Sequence, residues 1–208
     1  MIIQIEPWIA EEEMSEIIKV IESTYLTESK KTEKFEEKFR DLTGTTNAIA
    51  YSNGTTALFA ALKISGIKQG DEVIVPGLTY IASSNSIIMA GAKPVFVDVD
   101  KKTIQISPEE IEKSITSKTK AIMPVHLYGQ SCDMDEIMRI ANKHNLKVIE
   151  DAAQGVGVKF NGKHVGTFGD LGAFSFYGNK TITTGEGGMT VTNSQEYDKE
   201  LRAFKNHG

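Results

Sequence analysis

The sequence predicts a three-layer α/β/α fold built on a mostly parallel mixed sheet. From Asn47 onward, short apolar runs alternate with segments of helical periodicity, the pattern of a parallel sheet covered by helices on both faces. Sharp helix starts stand between those runs, of which Ser107-Pro108-Glu109-Glu110 is the clearest, with Ser at the cap, Pro at the first helical position and Glu at the third. A chain of 208 residues with no internal repeat and no low-complexity linker reads as one domain, residues 1–208.

Taken in order, a helix is expected over about residues 11–23, where Met14, Ile17, Ile18 and Ile21 share one face. A second follows over about 32–43, with Phe35, Phe39 and Leu42 at helical spacing and Gly44 as its stop. These N-terminal helices, within residues 1–46, are expected to pack on the body of the domain. Residues 47–51 read as a strand that turns through Ser52-Asn53-Gly54-Thr55 into a helix over 56–64. A strand at 72–75 stops at Pro76, and a helix is expected over about 80–90. Strands at 94–99 and 121–126 flank the helix that Ser107 starts, and Asp133 caps another to about His144. A strand at 147–150 ends in Asp151, and Phe160-Asn161-Gly162-Lys163 reads as a hairpin turn. Residues 173–177 and 189–192 are the last strands, followed by a charged helix.

Composition narrows the function. The chain is 40% apolar and 25% charged, ordinary for a globular protein, and its net charge of −5 comes without a basic run that would suit nucleic acid. The start has no charged region followed by an apolar core and cleavage site, and no apolar run is long enough to span a bilayer, so a cytoplasmic soluble protein is the expectation. Cys132 is alone, and the histidines at 126, 144, 164 and 207 lack ligand spacing, so no metal is expected. Gly157 to His164 nearly spells a nucleotide P-loop, but His164 stands where Ser or Thr should hold magnesium, and Asn161-Gly162 reads better as a hairpin. His126, at a strand end, is expected to be structural.

Chemistry concentrates at residues 172–188. There a short aromatic strand delivers Lys180 into a loop rich in Thr and Gly. A lysine is costly to desolvate and fix in such a place, unless its neutral amine is needed to attack a carbonyl and form a Schiff base. Ser52-Asn53-Gly54-Thr55, between a strand and a helix, reads either as an ordinary turn and cap or as an anion site such as a phosphate cradle.

Ser175-Phe176-Tyr177-Gly178-Asn179-Lys180, followed by Gly185-Glu186-Gly187-Gly188, resembles the cofactor-lysine segment of the DegT/DnrJ/EryC1/StrS family of pyridoxal-phosphate (PLP) sugar aminotransferases. The resemblance covers nearly the whole chain, and its wording is nearest to the perosamine-forming members, which aminate C4 of a GDP-linked 4-keto-6-deoxy sugar. It implies the large domain of a PLP-dependent transferase of the aspartate-aminotransferase fold type. By this resemblance Lys180 carries the PLP and is the catalytic residue, and Gly54, Thr55 and Ser175 hold the cofactor phosphate. Asp151, in Glu150-Asp151-Ala152-Ala153-Gln154, would pair with the pyridine nitrogen, whereas a carboxylate at a strand end otherwise caps the next turn. Gln154 would lie near the ring hydroxyl, and Tyr80 would stack on the ring where a tyrosine otherwise packs a helix start. Glu186 could cap its loop or bind substrate.

The function so implied is amination of a nucleotide-linked keto-sugar with glutamate as amino donor, by a homodimer. Lys180 argues against the dehydratase branch, in which histidine replaces the lysine. The family's enzymes continue into a smaller C-terminal domain, expected to be absent from these 208 residues, so an inactive PLP-binding fragment is one alternative. A 3-keto-sugar aminotransferase is another.

Overall fold

The computed structural model describes residues 6–206; the reading of the chain's first five residues as no leader, and His207, lie outside them. The strands are β1 (Asn47–Tyr51), β2 (Glu72–Pro76), β3 (Lys93–Val97), β4 (Thr119–Ile122), β5 (Lys147–Asp151), the hairpin pair β6 (Lys159–Phe160) and β7 (Lys163–His164), β8 (Leu171–Ser175) and β9 (Gly188–Thr192). The helices are α1 (Glu11–Glu22), α2 (Lys30–Thr43), α3 (Gly54–Ile64), α4 (Ala82–Met89), α5 (Pro108–Lys113), α6 (Met134–His144) and α7 (Gln195–Lys205). Seven strands form one sheet in the order β1-β9-β8-β5-β4-β2-β3, and only β9 runs antiparallel to its neighbours.

Side chains of successive strand residues point to opposite faces, and both faces are covered, so the central strands are apolar at consecutive positions. Val73, Val75, Met123 and Ile149 pack with α3, α4 and Leu201 of α7. Ile74, Ile122 and Val148 pack with α5 and α6 on the other face. Over β1, β8 and β9, Phe39 of α2 fills a third cluster with Phe174, Phe176 and Met189. This is the expected mixed three-layer architecture.

Local chemistry explains the element ends. Gly44 closes α2 with φ 74°, a left-handed conformation in which a side chain would be strained. Asn53, Ser107, Asp133 and Ser194 each accept a backbone N–H at a helix start. Asn161 and Gly162 both take positive φ in the β6–β7 hairpin, which removes the nucleotide-loop reading of that segment.

Several expectations shift. β2 runs through Pro76, paired with Val97, instead of stopping before it. α4 begins at Ala82, not at Tyr80, because residues 77–80 form a turn. β4 ends at Ile122; residues 123–126 then bend toward β5, where Val125 bridges Asp151, and a 3-10 turn over Leu127–Gly129 carries no sequence signal. β8 stops at Ser175, so Phe176 and Tyr177 lie beyond the sheet. The largest departure is α1. α2 packs as expected, but α1 buries no residue, and its stripe of Met14, Ile17, Ile18 and Ile21 is exposed. Phe35 and Phe39 of α2, by contrast, fill the space over β1 and β8. Among the described residues no helix is long and apolar enough to cross a membrane.

Glu36 of α2 joins three elements. Its buried carboxylate accepts Ala50 N–H of β1 at 2.8 Å and Arg202 of α7 at 3.1 Å. Removing it leaves the Ala50 amide without its acceptor and frees an arginine that is partly solvated. Glu36→Ala is therefore expected to cost about 1–3 kcal/mol, measured by urea unfolding.

Candidate active site

The parallel strands β1, β2, β4, β5 and β8 all point their carboxyl ends at one cleft of about 390 Å³. This is where an open α/β sheet presents its ligand site. Gly54 and Thr55 come from the β1–α3 turn, Tyr80 from the segment after β2, Asp151 and Gln154 from the end of β5, and Ser175 and Lys180 from the end of β8. All of the residues singled out in the sequence thus line one cavity, with Asn53, Thr79, Leu127 and Glu186 beside them.

One end of the cleft suits an anion. The first turn of α3 leaves N–H groups without helical acceptors, and the hydroxyls of Thr55 and Ser175 stand next to them. Gly54 is required there: a Cβ at that position would lie 2.8 Å from Ser175 Cβ and 3.3 Å from its Oγ. A side chain would close the space in front of the helix end, where a phosphate would sit.

The other end carries opposed charges. Asp151 is 5% exposed, with Oδ2 accepting Ser83 Oγ–H at 2.7 Å and Oδ1 accepting Ala153 N–H at 3.1 Å. Burial pushes its carboxyl above the usual range, against the pull of those two bonds and of Lys180. Lys180 is half-buried, and burial holds its amine below the usual lysine range, while the charge of Asp151 works the other way. Among the described residues no carboxylate lies within ion-pair distance of its Nζ. The lysine loop is held at its neck, where Phe176 N–H donates to Gly187 O at 2.9 Å, and Phe176 O accepts Thr183 Oγ–H and Thr184 N–H, each at 3.0 Å.

Gln154 is oriented by Tyr128, whose backbone N–H donates to its Oε1 at 2.5 Å, so its amide NH₂ is the group left for a ligand. Tyr80 lines the cleft with its side chain 72% exposed. His126 is structural, as expected: Nε2–H faces Glu150 Oε2 at 2.9 Å, and Nδ1 accepts Cys132 N–H at 3.2 Å. Two groups escaped sequence reasoning. Ser83 looks like an ordinary helix serine, and only its place one turn after Tyr80 marked it as near the cleft. Tyr128 has a left-handed backbone, φ 56°, uncommon for a bulky residue, and sequence gives no sign of it.

The two charges predict a measurable coupling. Asp151→Asn removes the charge that raises the Lys180 amine, so Lys180 should become more reactive toward an amine-selective acylating reagent at neutral pH, read by peptide mass mapping. An unchanged rate at Lys180 would mean the two groups do not sense each other.

Comparison with known proteins gives a consistent picture. Residues 7–208 match the family model described as the DegT/DnrJ/EryC1/StrS aminotransferase family. The GDP-perosamine synthase of Escherichia coli O157:H7 is 52% identical over 205 residues, covering 98% of this chain and 56% of that protein. The X-ray structure of the aminotransferase from Psychrobacter cryohalolentis superposes with a TM-score of 0.95 at 45% identity, covering 98% of this chain and 52% of the other. The PLP form of Spr1654 from Streptococcus pneumoniae gives a TM-score of 0.96 at 31% identity, covering 100% of this chain and 58% of the other. The chain spans about half the length of the curated relatives it matches.

Proposed function

The chain belongs to the DegT/DnrJ/EryC1/StrS aminotransferase family, and from that premise we propose that it forms the cofactor-binding part of a PLP-dependent aminotransferase acting on a nucleotide-linked keto-sugar. The substrate proposed is a 4-keto-6-deoxyhexose carried on GDP, as the name of the Escherichia coli relative suggests, with glutamate as amino donor. The observation that carries the reading is the meeting, in one cleft, of a half-buried lysine held below its usual pKa, a buried aspartate and an anion cradle.

The residues fit the cofactor. Gly54, Thr55 and Ser175 would hold its phosphate, Asp151 its pyridine nitrogen, Gln154 its ring hydroxyl through the free amide NH₂, and Tyr80 one ring face. When bound, PLP supplies an electron-withdrawing ring that stabilises negative charge at the carbon bearing the amino nitrogen. Lys180 would supply the amine that holds the cofactor covalently, and burial, which lowers its pKa, favours the neutral, nucleophilic form of that amine. With the cofactor bound, Lys180 Nζ would be the group placed to hold and move a proton, as general base and then acid. Asp151, kept ionised by Ser83 and the Ala153 amide, holds the ring nitrogen in its protonated form. Exposed apolar residues before and on α4 (Ile81, Ile88, Met89) and on β3 (Phe96), together with the α1 stripe, favour a homodimer.

Borohydride reduction after addition of PLP, followed by peptide mass mapping, is expected to place a pyridoxyl group on Lys180. Lys180→Ala should abolish that label, and Gly54→Val should weaken PLP binding by about tenfold or more, a loss of roughly one good charge-assisted hydrogen bond at the cradle. Label scattered over surface lysines would overturn the cofactor assignment. A Lys180 adduct that glutamate cannot convert would reduce the chain to a PLP-binding fragment.

A further inference from the structure

We propose that Ser83, backed by Thr79, is a positioning residue for Asp151: a two-hydroxyl relay, from the bend before α4 to its first turn, that keeps the carboxylate hydrogen-bonded and aimed into the cleft. The inference rests on the reading of the site given under Proposed function.

The relay has a direction. Ser83 Oγ lies 2.7 Å from Asp151 Oδ2, 3.2 Å from Tyr80 O and 2.8 Å from Thr79 Oγ1. Its single proton goes to the carboxylate, the nearer and charged acceptor. Ser83 Oγ then accepts from Thr79 Oγ–H, and the bonds run Thr79 to Ser83 to Asp151. A donating hydroxyl is polarised by accepting a bond in turn, so Thr79 strengthens the bond to the carboxylate.

Every group facing Asp151 from the packed elements limits the alternatives. From α4 comes Ser83; from the exit of β5, the Ala153 amide; from the loop after β8, the amine of Lys180; and beyond β4, the His126 ring, which is committed to Glu150 and Cys132. Ser83 is the only side-chain hydroxyl among the described residues that bonds the carboxylate. It is fully buried. The turn that supplies the relay also carries Tyr80, so the residue at the cleft mouth and the carboxylate at its floor are fixed by one piece of backbone.

The test begins without cofactor. The Asp151 carboxyl is followed by carbon-detected NMR across pH in the protein, its signal identified by loss in Asp151→Asn. Ser83→Ala is expected to raise the Asp151 pKa by about one unit or more. Thr79→Val, which leaves Ser83 in place, should raise it less, and Ser83→Thr should restore it. PLP affinity, read by absorbance titration, should fall about tenfold in Ser83→Ala, in step with the pKa. An Asp151 titration unchanged in both Ser83→Ala and Thr79→Val would overturn the proposal, as would unchanged PLP affinity in Ser83→Ala. Because the carboxyl is read before PLP is added, failure of the wild-type protein to label at Lys180 would overturn the proposed cofactor while leaving the relay's effect on Asp151 measured separately.

Discussion

The structure depends on two adjacent carboxylates at the end of β5 that are buried on opposite faces of the sheet. Glu150 is fully buried and Asp151 nearly so. Taking each from water costs several kcal/mol unless the fold supplies donors. Glu150 is answered completely: the N–H groups of Gly166, Phe168 and Gly169 and the ring of His126 all point at it, at 2.6 to 2.9 Å. Those four bonds tie the return from the hairpin, the exit of β4 and the end of β5 to one point. They build the floor beneath the cleft.

The lysine loop hangs from a different anchor. Phe176 leaves the sheet and packs against Phe35 and Phe39 of α2, with ring centroids at 4.9 and 5.4 Å. Its backbone then closes the neck of the loop through Gly187, Thr183 and Thr184. Burial of the ring and the three backbone bonds reinforce one another, so the base of the loop is fixed while its tip, from Thr181 to Glu186, stays largely exposed. That combination anchors the segment carrying Lys180 and leaves the adjoining loop facing solvent. α2 thus contributes to the site without touching it.

The elements were legible because their signals are local. The period change at Asn47, the caps at Ser107 and Asp133, and the Asn161-Gly162 turn each depend on a few neighbouring residues, and each appears where the sequence put it to within about two residues. The site was legible for another reason: the resemblance named residues far apart in the chain, and strand ends of a parallel sheet converge. What could not be read depends on contacts between distant segments. Whether α1 buries its apolar stripe is not set by the stripe itself, and the structure leaves it exposed. Ser83 gains meaning only when α4 is laid beside β5, a separation of 68 residues. The left-handed turn at Tyr128 is held by Gln154 on one side and by Gln105, bonded to both backbone groups of Leu127, on the other.

Asp151 differs from Glu150 in being answered only in part. A hydroxyl and one amide offset its burial, and its carboxyl is still pushed upward; Lys180, beside it in the cleft lining, is pushed downward by the same loss of water. Each group relies on the other's charge, yet they are too far apart to form an ion pair among the described residues. A ligand that brings its own cation to Asp151 resolves both at once. It completes the carboxylate's bonding, and by neutralising that charge it withdraws the one influence that keeps the Lys180 amine protonated. Asp151 and Lys180 are therefore coupled through the one end of the cleft they share, and a change of charge at either is sensed by the other.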